Sequence, residues 1–221
     1  MNTPEDKASS LMIRASFRQR GFTLLEVMIA LLIFSIGLLS AAALQGVAKR
    51  ANYEAIQRTT ATQLAFDLLE RMRANANGLN WYVTGKESVL QPTLNPPGAA
   101  PAPDCQTRAS ACDARQLAQR DLWEWQSRLL GALEARISGG TTVATGGLVD
   151  PTACIRAEEA GGGATVYTVA IAWRGVTPIP VPAGDERDDC GAGAGIDYDD
   201  TEAGADAFRR VVVFQSFVSS P

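Results

Sequence analysis

The residues best placed for chemistry lie at one junction near the N-terminus, in the run Arg20-Gly21-Phe22-Thr23-Leu24-Leu25-Glu26. A basic segment precedes Gly21 and an apolar run follows it, so a cut after Gly21 would remove the basic residues and keep the apolar ones. Glycine suits such a cut because, without a Cβ, it lets an enzyme's backbone approach the scissile bond closely. The cut would also free the amine of Phe22, a basic partner for the carboxylate of Glu26.

The apolar run from Leu24 to Leu44 contains only apolar or small residues apart from Glu26 and two serines. About 20 such residues cross a bilayer core as a helix, so we predict one membrane span. An ordinary secretory signal has its apolar stretch before the cleavage site, which is the reverse of the order here. The basic leader is expected to stay in the cytoplasm under the positive-inside rule, and the C-terminal body then faces outward.

All four cysteines lie in the predicted outward part, at Cys105, Cys112, Cys154 and Cys190. An oxidising compartment outside the cytoplasm would let them form two disulfides. Three connectivities are possible, and the short interval from Cys105 to Cys112 favours one loop clasp, with Cys154 left to pair with Cys190. Zinc is disfavoured because the chain has no histidine and no CxxC pair.

The charge balance gives no support to a nucleic-acid-binding role. Removing the leader leaves 16 basic and 22 acidic side chains, a net charge of about −6. The acidic, glycine-rich stretch 185–206 could bind calcium, since clustered oxygens suit that ion. Its spacing does not match an EF-hand loop, so we expect a solvated segment and no cofactor, with calcium at this loop as the alternative.

The helix is predicted to continue past the span to about Ala76, with an apolar stripe at helical spacing: Ala61, Leu64, Ala65, Leu68 and Met72. Asp67 and Arg71 suit an ion pair on its solvated side, and Asn77-Gly78 offers a stop. Prolines then predict a surface loop over residues 83–112.

A second helix is predicted over residues 113–137, capped by Asp113, with one apolar face: Ala118, Leu122, Trp125, Leu129 and Leu133. We interpret Trp123 and Trp125 as core residues rather than a binding pair. The segment TVYTVAIAW alternates as a half-buried strand does, and RRVVVFQSFV is a second strong strand. Weaker candidates at 141–145 and 153–156 complete a small antiparallel sheet, which gives an α+β order of elements.

Two segments resemble a known family. The run RGFTLLEVMIALLIFSIGLL resembles the class III signal of type IV pilins and type II secretion pseudopilins. The stretch AIQRTTATQLAFDLLERMRANANG is similar to the PilV branch of minor pilins, and so is CDARQLAQRDLWEWQSRL. The matching positions in the first of these stretches are Gln57, Arg58, Ala61, Leu64, Ala65, Asp67, Arg71, Met72, Arg73, Ala74 and Asn75.

The resemblance implies a type IV pilin-like α+β fold, in which a long N-terminal helix, half of it transmembrane, packs against a small antiparallel sheet. It divides the chain into a leader (1–21), a membrane or filament-core helix (22–48), an amphipathic continuation (49–78) and a head (79–221). It also implies that a membrane prepilin peptidase cuts between Gly21 and Phe22 and N-methylates Phe22. Glu26 would then meet the N-terminal amine of a neighbouring subunit and set the stagger of the helices.

The implied location is the bacterial inner membrane, with the N-terminus in the cytoplasm, and later a pilus in the periplasm or at the cell surface. The implied partners are the peptidase, other minor and major pilins and the inner-membrane assembly machinery, in support of pilus assembly, motility or adhesion. The nearest alternative is a minor pseudopilin of a type II secretion system. A membrane-tethered exported enzyme is disfavoured because the chain has no histidine base and no GxSxG elbow.

Carboxylates such as Asp67 and Glu70 could in principle act in acid/base chemistry, but they lie on an arginine-rich helical face and are predicted to form ion pairs. A third class of function is an adhesin or DNA receptor at a filament tip. The acidic body argues against DNA as its ligand.

Overall fold

A computed structural model describes residues 21–83, 98–106, 111–132, 134–138, 140–144, 146–159, 165–181, 188–192 and 198–218. The chain forms two compact units, one ending at Gly46 and the other beginning at Val47. Its elements in chain order are α1 (Leu24–Ala74), a 3₁₀ helix (Ala76–Trp81), α2 (Ala114–Leu129), β1 (Ala135–Ser138), β2 (Thr141–Ala144), β3 (Thr152–Glu159), β4 (Thr165–Arg174) and β5 (Arg209–Phe217).

The second unit is built on the C-terminal part of α1, whose predicted apolar stripe is confirmed. The five predicted residues are all buried in the core, together with Leu69: Ala61, Leu64, Ala65, Leu68 and Met72. The stripe packs in one hydrophobic cluster with residues of α2 and of the sheet, including Trp125 and Ile171. Burial against the rest of the unit, rather than helix propensity, therefore stabilises this half of the helix.

Helix α1 ends at Ala74, slightly earlier than predicted, because Asn75 leaves the helical conformation with φ −121°. The Asn75 amide donates to the carbonyl oxygen of Ala114 at 2.7 Å, which ties this end to the start of α2. Gly78 lies within the 3₁₀ helix that follows, and a Cβ there would approach the same carbonyl oxygen to 2.5 Å. Gly78 is thus needed for close packing rather than as the helix stop.

Helix α2 starts as predicted, with Asp113 and Gln116 forming a capping box, but the prediction that it runs to residue 137 is wrong. It ends at Leu129 because Gly131 takes a left-handed conformation with φ +66°. The N–H of Ala132 then donates to the oxygen of Ser127 and that of Gly131 to Arg128, a Schellman motif. Residues 135–138 form β1, which pairs with β2 in a two-stranded antiparallel sheet. The predicted core residue Leu133 lies outside the described residues.

The main sheet has the order β3-β4-β5, antiparallel throughout, with β4 in the centre. Strands β4 and β5 match their predictions, and β3 extends further than the segment 153–156. The expected face of β4 enters the core: Tyr167, Val169, Ile171 and Trp173.

The prediction that β4 is half-buried is wrong, because Thr168, Ala170 and Ala172 on its other face are buried as well. A disulfide from Cys154 to Cys190 holds the chain over this second face, where Cys190 and Ala170 pack together. The second disulfide joins Cys105 to Cys112 and closes the end of the proline-containing loop. These are the two pairs that the cysteine spacing favours, and they leave none of the four thiols free.

Candidate processing and assembly site

The junction at Gly21 is a short non-helical segment directly before α1. Residues 21–23 are outside the helix, and Thr23 caps it: the Glu26 N–H donates to the Thr23 hydroxyl oxygen at 3.2 Å. The Val27 N–H donates to the Thr23 carbonyl at 3.2 Å. The cap therefore begins the helix after the Gly21–Phe22 peptide bond, which stays outside regular structure and is flanked by exposed residues.

Nothing in the packing of the described residues requires glycine at position 21. A Cβ built on Gly21 meets no atom of those residues within 4 Å. This openness contrasts with Gly78, where the fold itself excludes a side chain. A need for glycine at Gly21 would therefore come from a second molecule that approaches the backbone, such as an enzyme.

Glu26 and Phe22 share one open groove on the surface of α1, with a volume of about 550 Å³. Its lining is apolar except for Glu26: Phe22, Val27, Ala30, Leu31 and Phe34. Glu26 lies in the first helical turn, where the helix dipole favours a carboxylate. A second apolar helix that covered this groove would leave the carboxylate needing a cationic partner, because an unpaired charge is costly away from water.

The apolar part of α1 has no cover among the described residues. Its most apolar 18-residue window has a mean hydropathy of 2.6 and none of it is buried, so the helix is long and apolar enough to cross a membrane. Side chains such as Phe22 (82% exposed) and Leu39 (72% exposed) face outward. A contiguous exposed apolar surface of this kind indicates contact with lipid or with other apolar helices.

In the second unit, Arg71 binds three carboxylates, one on α1 and two on α2, and so joins the two helices. Its guanidinium donates to Asp67 at 3.1 Å, Asp121 at 2.8 Å and Glu124 at 3.2 Å. The predicted pairing of Asp67 with Arg71 is confirmed, but it does not lie on a solvated face, since the Arg71 side chain is only 18% exposed. The pair is part of an interhelical network that fixes α2 against α1.

Electrostatics favour the charged form of Glu124 in this network. Burial alone would raise the pKa of Glu124, but hydrogen bonds from Arg120 and Gln106 outweigh it and hold that pKa below its ordinary value. Tyr82 donates a short hydrogen bond to Asp121, and burial together with this bond raises the pKa of Tyr82. The tyrosine is therefore a neutral donor that orients the Asp121 carboxylate.

A buried glutamine fixes the loop before β3 to α1. The Gln57 amide donates to the Gly147 carbonyl oxygen at 3.2 Å and accepts from the Val149 N–H at 3.1 Å. Both the N–H and the oxygen of the Gln57 side-chain amide have a partner. Gln57 therefore gives these two backbone groups of the loop the hydrogen bonds that another backbone segment would otherwise supply. Within the stretch 57–75, Arg58 is the charged residue that has no ion pair among the described residues.

The two tryptophans of α2 have different surroundings. Trp125 is fully buried and its Nε1 donates to the Leu64 carbonyl at 2.7 Å, which confirms its core role. Trp123 is only partly buried, and its Nε1 donates to the Gly98 carbonyl at 2.6 Å, so it holds the proline-containing loop.

The predicted ion pairing of Asp67 and Glu70 is confirmed, with Arg71 and Arg73 as respective partners.

For the acidic stretch 185–206, the structure describes residues 188–192 and 198–206. Across the described parts of the chain, no group of three or more potential metal-ligating side chains occurs. The Asp200 carboxylate instead accepts backbone N–H groups of its own turn, from Glu202 at 2.9 Å and Ala203 at 2.7 Å. These bonds lower the pKa of Asp200.

Sequence reasoning missed the capping role of Thr23. The signal was present, because Thr23-Leu24-Leu25-Glu26 has the Thr-x-x-Glu spacing that starts helices. The residues predicted for processing and assembly thus lie together by sequence and by structure: Gly21 and Phe22 precede the cap, and Glu26 follows it on the groove that Phe22 also lines.

Two family descriptions match adjoining parts of the chain. Residues 16–42 match the prokaryotic N-terminal methylation motif, and residues 43–123 match the family described as type IV pilin Tt1218. No curated protein and no solved structure gives a significant match. The first match contains the junction and Glu26, and the second contains Gln57 and Arg71. The two matches together cover residues 16–123, fewer than half of the 221 residues, so over this N-terminal part the chain is similar to type IV pilins that carry the N-terminal methylation motif, and α1 is long and apolar enough to cross a membrane.

Proposed function

We propose that this chain is a PilV-like minor pilin that is processed at Gly21 and takes part in building a type IV pilus. The observation that carries the proposal is the groove on α1, where a single carboxylate lies beside Phe22 on an otherwise apolar, exposed surface. Such a surface suits lateral packing of helices better than it suits binding of a soluble ligand. The role is structural rather than enzymatic.

Processing would proceed at the peptide bond between Gly21 and Phe22. A prepilin peptidase hydrolyses that bond, removes the leader and methylates the new amine of Phe22, which stays basic. The exposed, non-helical backbone at residues 21–23 supports this step, because a protease needs an extended substrate segment. Thr23 keeps the helix start clear of the bond.

Assembly would then use Glu26 as the register-setting charge. The methylated amine of a neighbouring subunit binds the Glu26 carboxylate, while apolar residues of both helices bury their surface. Away from water, a carboxylate paired with the amine is tolerated, whereas a shift of one helix along the other leaves that carboxylate unpaired at a high cost. One stagger of the helices is therefore favoured over others. The head, residues 79–221, then meets other minor and major pilins.

The precursor would lie in the bacterial inner membrane with its N-terminus in the cytoplasm, held by the assembly machinery until it enters a pilus. The basic leader supports this orientation. A minor pseudopilin of a type II secretion system would use the same helix. Co-purification distinguishes the minor pilin from the minor pseudopilin. The proposal expects the tagged chain in sheared surface pili, and recovery only with secretion components would contradict it.

The Gly21→Val variant tests processing. We expect uncut precursor to accumulate in the membrane, because the added side chain blocks the approach of the peptidase backbone. Gly37→Val is the matched control, since Gly37 also has open space around it and lies away from the bond. A normal mature band for Gly21→Val would contradict the assigned cleavage site.

The Glu26→Ala variant tests assembly separately from processing. We expect normal cleavage but a loss of about tenfold or more from sheared pili, because a buried cationic amine would lose its partner. Glu26→Asp keeps the charge and is expected to retain part of the incorporation. Equal recovery of Glu26→Ala and the unmodified chain would rule out the register-setting role.

A further inference from the structure

We propose that the free edge of strand β5 pairs with an extended, uncharged strand from a different subunit of the pilus. The contact involves the second unit alone and uses neither the junction at Gly21 nor the apolar part of α1. It rests on the proposed function, because that function supplies other pilus subunits as partners. The free backbone edge, its composition and the apolar surfaces on both sides of it support the pairing.

Strand β5 lies at the edge of the main sheet. Within the described part of the chain it has β4 on one side and no strand on the other. Alternate backbone groups of a strand point to its two sides, so about half of the N–H and C=O groups of β5 point away from β4. Over residues 211–217, the described backbone forms hydrogen bonds to no element other than β4. Such a row of groups is a template for one further strand.

The composition of this edge lacks the features that ordinarily prevent strand addition, which are charges, proline, bulges or a covering segment. Residues 211–217, VVVFQSF, contain no charge, proline or glycine, and their register with β4 runs without a bulge. The opposite edge, β3, carries Arg156, Glu158 and Glu159, and the Cys154 disulfide attaches another segment to it. Of the two edges of this sheet, β5 is therefore the unprotected one in the described structure.

Apolar surface is available on both faces of the sheet beside this edge. On the core side, Phe214 packs against the ring of Phe66 with 4.6 Å between centroids, and Phe66 stays 50% exposed. On the outer side, Val213 is 40% exposed and Phe217 is 70% exposed. Successive side chains of a strand point to opposite faces, so a strand added to β5 would place alternate side chains against these two surfaces.

These surroundings define the chemistry of the partner strand. The nearby charges of α1 are already used, because Arg73 pairs with Glu70 and donates to the Ser216 hydroxyl oxygen at 2.6 Å. Residues 211–217 offer no charge to an incoming segment. An uncharged strand with apolar residues at alternate positions therefore fits the edge, with main-chain hydrogen bonds giving affinity and side chains giving specificity.

A second copy of this chain does not suit the same edge. Antiparallel pairing of β5 with another β5 is an isologous contact, in which both copies use the same surface. Such a contact closes as a dimer and leaves the edge unavailable to any other subunit. The partner strand is therefore assigned to a different pilus subunit.

Site-specific photocrosslinking in the pilus-forming host tests both the partner and the geometry. A photoreactive phenylalanine analogue replaces Val213, Gln215 or Phe217, one position at a time, in the full-length chain, and crosslinked peptides from sheared pili are mapped by mass spectrometry. We expect crosslinks to one segment of a different pilus subunit, at sites about two residues apart and in the order of the three probes. A helical partner would instead give sites about three or four residues apart.

The matched control places the same probe at Glu158, an exposed acid on β3, which should not crosslink to that segment. Crosslinks at helical spacing, crosslinks confined to other copies of this chain, equal crosslinking from Glu158, or none at all would each overturn the pairing. Presence of the chain in sheared pili without these crosslinks contradicts only this contact. Absence of the unmodified chain from sheared pili contradicts the proposed function and, with it, a pilus subunit as the partner.

Lysine substitutions give an independent measurement of the same contact. Val213→Lys and Phe217→Lys should each reduce crosslinking from the probe at Gln215 by about tenfold, because a lysine on an edge strand opposes strand addition. Ala157→Lys on β3 is the matched control and should leave that crosslinking unchanged. All three substituted positions are exposed, so the native disulfides should form, which peptide mapping checks. Unchanged crosslinking in both β5 variants would overturn the pairing.

Discussion

Replacing Arg71 by methionine should destabilise the second unit more than any other single arginine change on α1. Arg71 donates to Asp121 at 2.8 Å, to Glu124 at 3.2 Å and to Asp67 at 3.1 Å. Methionine keeps the aliphatic stem and removes only the guanidinium, so packing is largely preserved. Asp67 and Glu124 keep Arg128 and Arg120 as partners, whereas the buried carboxylate of Asp121 loses its ion pair.

The size of the effect follows from burial. The side chains of Arg71 and Asp121 are 18% and 13% exposed, so both charges are largely removed from water. Removing one partner of a buried pair costs about 3–5 kcal/mol, and the residual exposure places Arg71→Met near the lower end, at about 3 kcal/mol. For a unit of this size, that loss lowers the melting temperature by roughly 6–12 °C.

The assay is thermal and urea unfolding of the full-length chain in detergent with disulfides intact, followed by the fluorescence of its tryptophans, of which Trp125 and Trp173 are buried. Arg73→Met is the matched control on the same helix. The exposed pair of Arg73 with Glu70 should contribute about 1 kcal/mol or less. If Arg71→Met loses no more stability than Arg73→Met, the network does not fix α2 and the reasoning is refuted.

Two further changes probe other contacts of the same unit. Gln57→Leu should cost about 2 kcal/mol in urea unfolding, because it leaves two backbone groups of the loop before β3 without partners; a variant as stable as the unmodified chain would argue against the clamp. For Asp188, burial would raise the pKa, but hydrogen bonds from Arg156 and the Cys190 N–H outweigh it and lower the pKa below 3.8. The ionised Asp188 therefore stabilises the fold fully above its ordinary pKa, and this stabilisation is lost as the pH falls through the lower pKa of the folded state. Asp188→Asn should consequently reduce the fall in melting temperature at acidic pH. An unchanged acid branch would contradict that assignment.

Local patterns predicted the elements whose burial is set by their own sequence. The stripe on α1 and the strands β4 and β5 were found because apolar residues recur at helical or alternating spacing along each segment. The junction stays a prediction of the same local kind, because Gly21, Phe22 and Glu26 are neighbours in the chain and the order of basic leader and apolar run reverses that of a secretory signal.

Features that depend on distant residues were not predictable. The run after Leu129 has helix-favouring residues, but the Schellman motif at Gly131 and the pairing of β1 with β2 end the helix. The second buried face of β4 depends on the disulfide from Cys154 to Cys190. Likewise, the apparent surface pair of Asp67 and Arg71 became interhelical because Asp121 comes from a helix 50 residues away. Single-segment periodicity contains no information on such partners.

The most direct test of the central claim is mass spectrometry of the N-terminus of this chain recovered from sheared filaments. We predict a single mature form that begins at Phe22 and carries a methyl group on its amine. A chain that still begins at Met1, or one whose N-terminus lies beyond the apolar run, would contradict the account of processing and assembly at this junction.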